Sequence, residues 1–363
     1  MITTTIVGIL VVFFAWLESS GRWKNGLKIS LFIIFIFLAI RYDFGNDYKA
    51  YQNLFNNIIS HSSLKDVLKD PTLYGEIGWK VLCWLFKPFG FFTMVAFISA
   101  ITIVILFRFI KKYVPSKYYW FVILIYFFSP YYMLIMASAM RQELAVILYL
   151  LAIDFLIEKK PVPYLLIVII ATTLHTSAIV LTVLVVFCFV DKDRIKFVLP
   201  VFMAIFVTML VIPEAYLKYV EKVVESVFLL NDYGRKLSAT GFDTDFGLGF
   251  AFQMIIYLLL IIVFLRDKEL SIVHIKMFYL FLIGIFLSYL SVVVLLSSRL
   301  AYYFFGASIV CYSIGISKIK YALIRVFFLI GILVNIFYQY FNFFLSNSWP
   351  KFNEYHTIFS VSP

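Results

Sequence analysis

The sequence predicts an all-α polytopic membrane protein, one transmembrane domain over residues 1–363 with about twelve transmembrane helices. Three observations carry this reading. Of the 363 residues, 63% are hydrophobic and only 14% charged, with a mean hydropathy of +0.98; a soluble chain of this length would need far more polar surface. The apolar residues come in runs near the ~20 residues a helix needs to cross a bilayer core. Lysine and arginine gather in short alternate loops, as cytoplasmic loops do.

The first span is 2–17. It has no positive leader and no small-residue cleavage site, so it reads as a retained span, not a signal peptide. Span 28–40 contains "ISLFIIFIFLA" and ends abruptly at a polar stretch. Residues 41–88 then form an outer loop. Within it, 77–88 is apolar with two lysines, as expected of an interfacial or re-entrant helix. Spans 89–108, 118–136 and 141–157 follow. The pair 163–175 and 176–190 is short, and reads as two spans or as one long tilted or broken helix. Span 197–213 leads into a second outer loop, 213–248, whose residues 214–228 have the mixed pattern of an amphipathic surface helix. Spans 249–265, 277–296, 299–317 and 322–341 complete the set.

Orientation follows the basic residues. The short loops between these spans carry 18 lysines and arginines, among them Arg22, Arg108, Lys112, Lys192, Arg266, Lys276 and Arg325, against six acidic residues. Their net charge is +12 and that of the remaining chain −1, which accounts for the total of +11. These loops therefore face the cytoplasm. Both termini and the two outer loops face the exterior. The excess positive charge is a topology signal, and no nucleic-acid partner is expected. Cys83, Cys188 and Cys311 sit in or beside apolar runs, without metal or disulfide spacing. Phosphate-loop, nucleophile-elbow and HExxH patterns are absent from the sequence, which removes an ATP-driven transporter and the common hydrolases.

A charge at the mouth of a span costs ~2.5–3.5 kcal/mol on insertion scales, so each asks for a reason. In "RYDFGNDYKAYQNLF", Asn46 or Asp47 suits a helix cap, with Tyr51, Leu54 and Phe55 on one face. The alternatives are a cap with an aromatic belt, or a carboxylate and phenols presented to a substrate; Gly45 permits a tight turn between Asp43 and Asp47. In "YGEIGW", Glu76 is either a general base or a helix-start charge. Arg141, Gln142 and Glu143 open a span together. Arg141 points to a phosphate, whose oxygens match the guanidinium fork, or to an ion pair with Asp47 or Glu76. His175 lies among Thr172, Thr173, Thr176 and Ser177, as a core histidine or as part of a polar pocket. Arg299 starts another span, followed by Tyr302 and Tyr303. The triplet at 243–245, "DTD", has the form of a metal–nucleotide-sugar motif, but without the α/β fold that motif needs.

In order along the chain stand Arg41; Gly45, Asp47, Tyr48, Tyr51 and Phe55; Glu76 and Gly78; Arg141 and Gln142; His175 and Ser177; and Arg299, Tyr302 and Tyr303. This ordered set resembles the EpsG-like family within the broader Wzy-type polysaccharide polymerases. Arg235 and Gly241 do not match the arginine-to-glycine spacing found in two external loops of some Wzy proteins. The resemblance implies a GT-C-like bundle in the bacterial cytoplasmic membrane, with its active site facing the periplasm or exterior. It implies a glycosyltransferase that joins repeat units of O-antigen, capsule or exopolysaccharide carried on undecaprenyl diphosphate. Donor and acceptor are both lipid-linked glycans, no cofactor and no metal is expected, and chain-length regulator and flippase proteins are implied partners. On this reading Asp47, with His175 and Glu76 as alternatives, takes the acceptor proton. Arg141, Arg299 and Arg41 bind diphosphate, and Tyr48, Tyr51, Gln142, Tyr302 and Tyr303 position sugars. An O-antigen ligase, a lipid-linked-oligosaccharide flippase and a sugar O-acetyltransferase are the rival readings.

Overall fold

The computed structural model describes residues 1–189, 248–267, 270–291 and 295–360. It is helical apart from one short strand pair. In chain order the elements are α1 (Ile2–Ser19), α2 (Gly26–Ala39), β1 (Arg41–Tyr42), α3 (Tyr48–Ser60), α4 (Leu64–Lys69), α5 (Ile77–Leu85), α6 (Phe91–Tyr113), α7 (Tyr119–Phe128), α8 (Leu134–Ser138), α9 (Met140–Ile157) and α10 (Pro161–Leu174). A 3₁₀ segment (Thr176–Cys188) follows. Then come α11 (Leu248–Arg266), α12 (Ile272–Leu290), α13 (Leu295–Ala301), α14 (Phe305–Lys318), α15 (Ala322–Leu345) and β2 (His356–Thr357).

Among the described residues, five helices are long and apolar enough to cross a membrane: Ile2–Ser19, Phe91–Tyr113, Ile272–Leu290, Ser297–Lys318 and Ala322–Leu345. Six further predicted spans are shorter or more polar helical segments. One of these is α9, which carries Arg141, Glu143 and Asp154. The predicted span 197–213, the outer loop 213–248 with its "DTD" triplet, and the basic cluster at 192–196 lie outside the described residues. Predicted span 118–136 is interrupted. Helix α7 stops at Phe128 because Ser129 precedes Pro130, and a residue before proline is driven out of the helical region; Ser129 is extended, at φ −80° and ψ 114°.

The chain forms two compact units, one of residues 1–188 with 309–363 and one of 189–308. In the first, α1 and α2 pair through the Ser30 hydroxyl, which donates to the Val11 carbonyl at 2.6 Å. Helix α15 packs on α7, with Phe128 against Phe337 and Tyr340. The 163–190 pair resolves as a hairpin. The Tyr164 hydroxyl donates to the Leu181 carbonyl at 2.6 Å, so the chain doubles back at His175.

The two ends of this unit differ. At one end the Met1 ammonium donates to the Asn353 carbonyl, β1 pairs antiparallel with β2, and Lys351 meets Asp43 at 2.6 Å. At the opposite ends of α1 and α6, Lys111 meets Glu18 at 2.7 Å, and Asp154 takes Arg108, Lys112 and Tyr113. Asp154, unremarked in the sequence, thus neutralises part of the basic end. In the second unit α11 and α12 pack through the stacked rings of Phe264 and Phe278, 4.6 Å apart. Lys276, counted above as a loop cation, is buried in α12.

Candidate functional site

The "YGEIGW" motif builds one wall of the site. Gly75 turns the chain at φ +100°, and Glu76 is the extended N-cap residue of α5. Gly78 sits in the first turn of α5, against the tip of the α10 hairpin. A Cβ there would stand 2.7 Å from the Thr173 carbonyl oxygen, closer than side chains pack. The missing side chain lets α5 approach the tip, and the approach brings Glu76 to Thr176. Glu76 Oε1 accepts from both the Thr176 backbone N–H and its hydroxyl, each at 2.9 Å.

The other Glu76 oxygen accepts from Arg141 Nη1 at 2.6 Å. Arg141 opens α9, just past Ala139, where a non-helical residue (φ −94°, ψ 61°) separates α8 from α9. The guanidinium lies beside two aromatic rings, 5.6 Å from the centroid of Tyr51 and 5.8 Å from that of Tyr74. Its Nε also faces the Tyr51 hydroxyl at 3.4 Å. Cation–π contact holds at these distances. The pair is half-buried, with side-chain exposures of 21% for Arg141 and 19% for Glu76. Hydrogen bonds to charged groups contribute ~1.5–3 kcal/mol each, so Glu76 is the hub joining α5, α9 and the hairpin tip. Below lies an apolar floor that includes Tyr51, Leu54, Trp79, Cys83 and Met140.

Burial works to raise the Glu76 carboxyl, but the Thr176 N–H and the Arg141 charge outweigh it and hold the group below the usual carboxylate range. Burial pushes the Tyr51 phenol up, with Arg141 opposing. Asp47 is an electrostatic neighbour of both Tyr51 and Tyr74, and its side chain is exposed. Asp47 is the N-cap residue of α3, as its position in the sequence suggests, but its side chain makes no capping bond. Its backbone N–H instead donates to Ser138 Oγ at 3.2 Å. Gly45 (φ +110°) precedes it, and a Cβ there would fall 2.9 Å from Ser138 Cα. The turn therefore grips α8.

Several expected site residues are placed differently. Arg41 is fully buried. It donates to the Leu38 carbonyl, to Ser99 Oγ at 3.1 Å and to the Ala137 carbonyl at 3.2 Å. Asp43, in the turn that follows, pairs with Lys351. Tyr48 and Tyr51 are buried rather than presented to a sugar. Tyr48 donates its hydroxyl to the Arg41 carbonyl at 3.0 Å and packs edge-on against Phe91. Gln142 is buried as well. His175 sits at the hairpin tip, with Nδ1 2.6 Å from Ser177 Oγ. Arg299 lies on α13 in the second unit with an exposed side chain; Tyr302 and Tyr303 follow in a 3₁₀ turn, and Tyr303 is buried.

Two contributors escaped the sequence reading. Tyr74 is 49% exposed and faces Arg141; its place just before Gly75 and Glu76 was the available signal. The C-terminal segment also supports the Asp43–Asp47 turn. Phe352 packs on Phe44 at 4.8 Å, Tyr355 stacks on Phe37 at 4.3 Å, and Asn46 donates to the Ser348 carbonyl at 2.7 Å.

The family model described as the EpsG family matches residues 27–357, nearly the whole chain. No curated protein and no solved structure matches.

Proposed function

This chain belongs to the EpsG family, a Wzy-like polymerase family, and from that membership we propose that it polymerises oligosaccharide repeat units carried on undecaprenyl diphosphate, at the outer face of the cytoplasmic membrane. The observation that carries the reading is the Arg141–Glu76 pair, its guanidinium beside Tyr51 and Tyr74, with the exposed Asp47 an electrostatic neighbour of both rings. A fixed cation meets a departing diphosphate, a carboxylate can take the acceptor proton, and aromatic surface suits sugar rings. The outward orientation rests on the basic residues at the other end of the first unit, Arg108, Lys111 and Lys112. On this reading the chain has about twelve spans, with both termini outside.

In the reaction, the acceptor sugar hydroxyl attacks the anomeric carbon of the donor glycan. A C–O bond forms there as the bond to the diphosphate oxygen breaks, and undecaprenyl diphosphate departs. Arg141 meets the charge developing on the leaving group, the kind of stabilisation that can dominate catalysis. The hydroxyl proton goes to Asp47, with His175 the second candidate. Glu76 is held in a different role. Both its oxygens already accept from protein donors, so it orients Arg141. Tyr74 offers a ring to a sugar, while Tyr51 backs the arginine. Arg41 has no part in contacting diphosphate here, and the role of Arg299 is proposed only as a second diphosphate contact, independent of this geometry.

The test is the surface glycan of strains carrying Asp47→Asn or Arg141→Ala at normal protein level. Single repeat units on the acceptor support the polymerase. Wild-type chain lengths in both variants refute the site. In a deletion strain, full-length polymer retained on the carrier lipid means a ligase, units trapped inside mean a flippase, and normal-length polymer lacking acetyl means an acetyltransferase.

A further inference from the structure

We propose that Arg41 is a positioning residue for Arg141, acting through the break between α8 and α9; this rests on the diphosphate role proposed above for Arg141. Burying a guanidinium is costly unless its donors are used. Two of the partners of Arg41 are carbonyls at helix ends, Leu38 at the end of α2 and Ala137 at the end of α8. Last-turn carbonyls have no intrahelical donor and carry the negative end of the helix dipole, so they suit a buried cation.

The Ala137 contact is the informative one. In an uninterrupted helix the Ala137 carbonyl would accept from the Arg141 N–H, four residues on. Here Ala139 breaks the helix, and Arg41 Nη2 donates to that carbonyl at 3.2 Å. Arg41 thus replaces the bond whose loss frees the first turn of α9. The loop that begins at Arg41 holds the next residue too, because the Asp47 N–H donates to Ser138 Oγ. The first turn of α9 is therefore set at the angle that carries Arg141 to Glu76.

A buried acidic side chain completes the device. Glu143, two residues beyond Arg141, is buried, and its Oε1 accepts from Thr102 Oγ1 at 3.1 Å. Ser99 serves Arg41 and Thr102 serves Glu143, three residues apart on one face of α6. Arg41 and Glu143 interact electrostatically, and each keeps one buried atom, Nε and Oε2, without a hydrogen-bond partner. Arg41 and Glu143 are thus both held by one face of α6 beneath the break.

The test is Arg41→Met combined with Glu143→Gln, so that neither ionisable group is left buried without the other. Purified wild-type and variant proteins in nanodiscs are compared for melting and for steady-state polymerisation of an undecaprenyl-diphosphate-linked oligosaccharide. The expected result is a folded protein whose kcat/KM falls 10- to 100-fold. Adding Arg141→Lys to it should lower kcat/KM less than threefold further, although Arg141→Lys alone lowers it more than tenfold. Such non-additivity marks two residues acting through one group. Wild-type kcat/KM in the double variant, or fully multiplicative losses, overturn the proposal while leaving Arg141 in its role. If Arg141→Lys and Arg141→Ala both keep wild-type kcat/KM, the role of Arg141 falls, and the positioning proposal with it. Should the double variant not fold, Ser99→Ala removes one partner of Arg41 alone. A three- to fivefold loss that vanishes in the Arg141→Lys background supports the proposal, and an unchanged kcat/KM overturns it.

Discussion

Gly78→Ala sets two physical effects against each other. Gly78 is helical, and alanine in an exposed helix gains up to ~1 kcal/mol over glycine. On propensity alone the variant should be more stable. The contact geometry predicts the reverse. The new Cβ would stand 2.4 Å from Thr173 Oγ1, 2.7 Å from the Thr173 carbonyl oxygen and 2.9 Å from its carbon. The hydroxyl can rotate away from its bond to Ile170, but the carbonyl belongs to the hairpin backbone. To reach an ordinary contact near 3.4 Å, that backbone must retreat by about 0.7 Å, the kind of shift that makes overpacking cost ~1–3 kcal/mol. Thr176, three residues on, would move with it. Its two 2.9 Å bonds to Glu76 would stretch to about 3.6 Å, beyond a working hydrogen bond. A net destabilisation of at least ~2 kcal/mol follows, and polymerisation should fall at least tenfold as Arg141 loses its oriented partner. Melting of the detergent-purified protein and gel analysis of polymer length check both numbers. Thr173→Ala should restore only part of the loss, because the carbonyl clash remains. A Gly78→Ala protein that melts at or above wild type and makes full-length polymer would show that α5 does not press on the hairpin tip.

Glu76→Gln should cost ~1–2 kcal/mol of stability at neutral pH, since its bonds lose charge assistance. The folded-state Glu76 carboxyl lies below the unfolded value, so its stabilisation is present above the ordinary glutamate range and is lost as pH falls through the lowered value. Wild-type and variant melting curves should therefore converge below that range and separate above it. Tyr51→Phe keeps the ring beside Arg141 and loses only a long 3.4 Å contact, so kcat/KM should stay within about threefold. Tyr51→Ala opens a buried cavity against Trp79 and should cost ~3 kcal/mol. Lys351→Ala removes a half-exposed pair with Asp43 and should change stability by less than ~1 kcal/mol. Phe352→Ala, in contrast, empties a fully buried site against Phe44 and should cost ~3 kcal/mol, seen as a lower melting temperature.

The membrane-protein class and most helix positions were legible because apolar length and basic loops are local signals. The break in 118–136 was legible too, in Ser129–Pro130, but a reading by apolar run passes over it. Glu76, Gly78, Arg141 and the hairpin tip could be named as polar or small residues that the bilayer does not explain. Why Gly78 is glycine could not, because the answer is the Thr173 carbonyl, a tertiary neighbour. Arg41 and Arg141 look alike in sequence, each a lone arginine beside an apolar run. Only the placement of the Leu38 and Ala137 carbonyls makes one a buried brace and the other a half-exposed cation. Tyr48 and Tyr51 likewise share an aromatic-rich helix with no local sign of which faces inward.

The pairing of β1 with β2 joins segments from nearly opposite ends of the chain, and Lys351 is 308 positions from Asp43. Contacts of such separation form late, since the intervening loop must first be closed. During synthesis, α1 and α2 enter the lipid long before Phe352 and Tyr355 leave the ribosome. The turn that presents Asp47 can be gripped by Ser138 of α8, but lacks its C-terminal support until that late segment emerges. A nascent or truncated chain would lodge in the bilayer without a finished carboxylate turn. On the proposed reading, an Asp47 turn that needs this support would act only once the segment around Phe352 has docked.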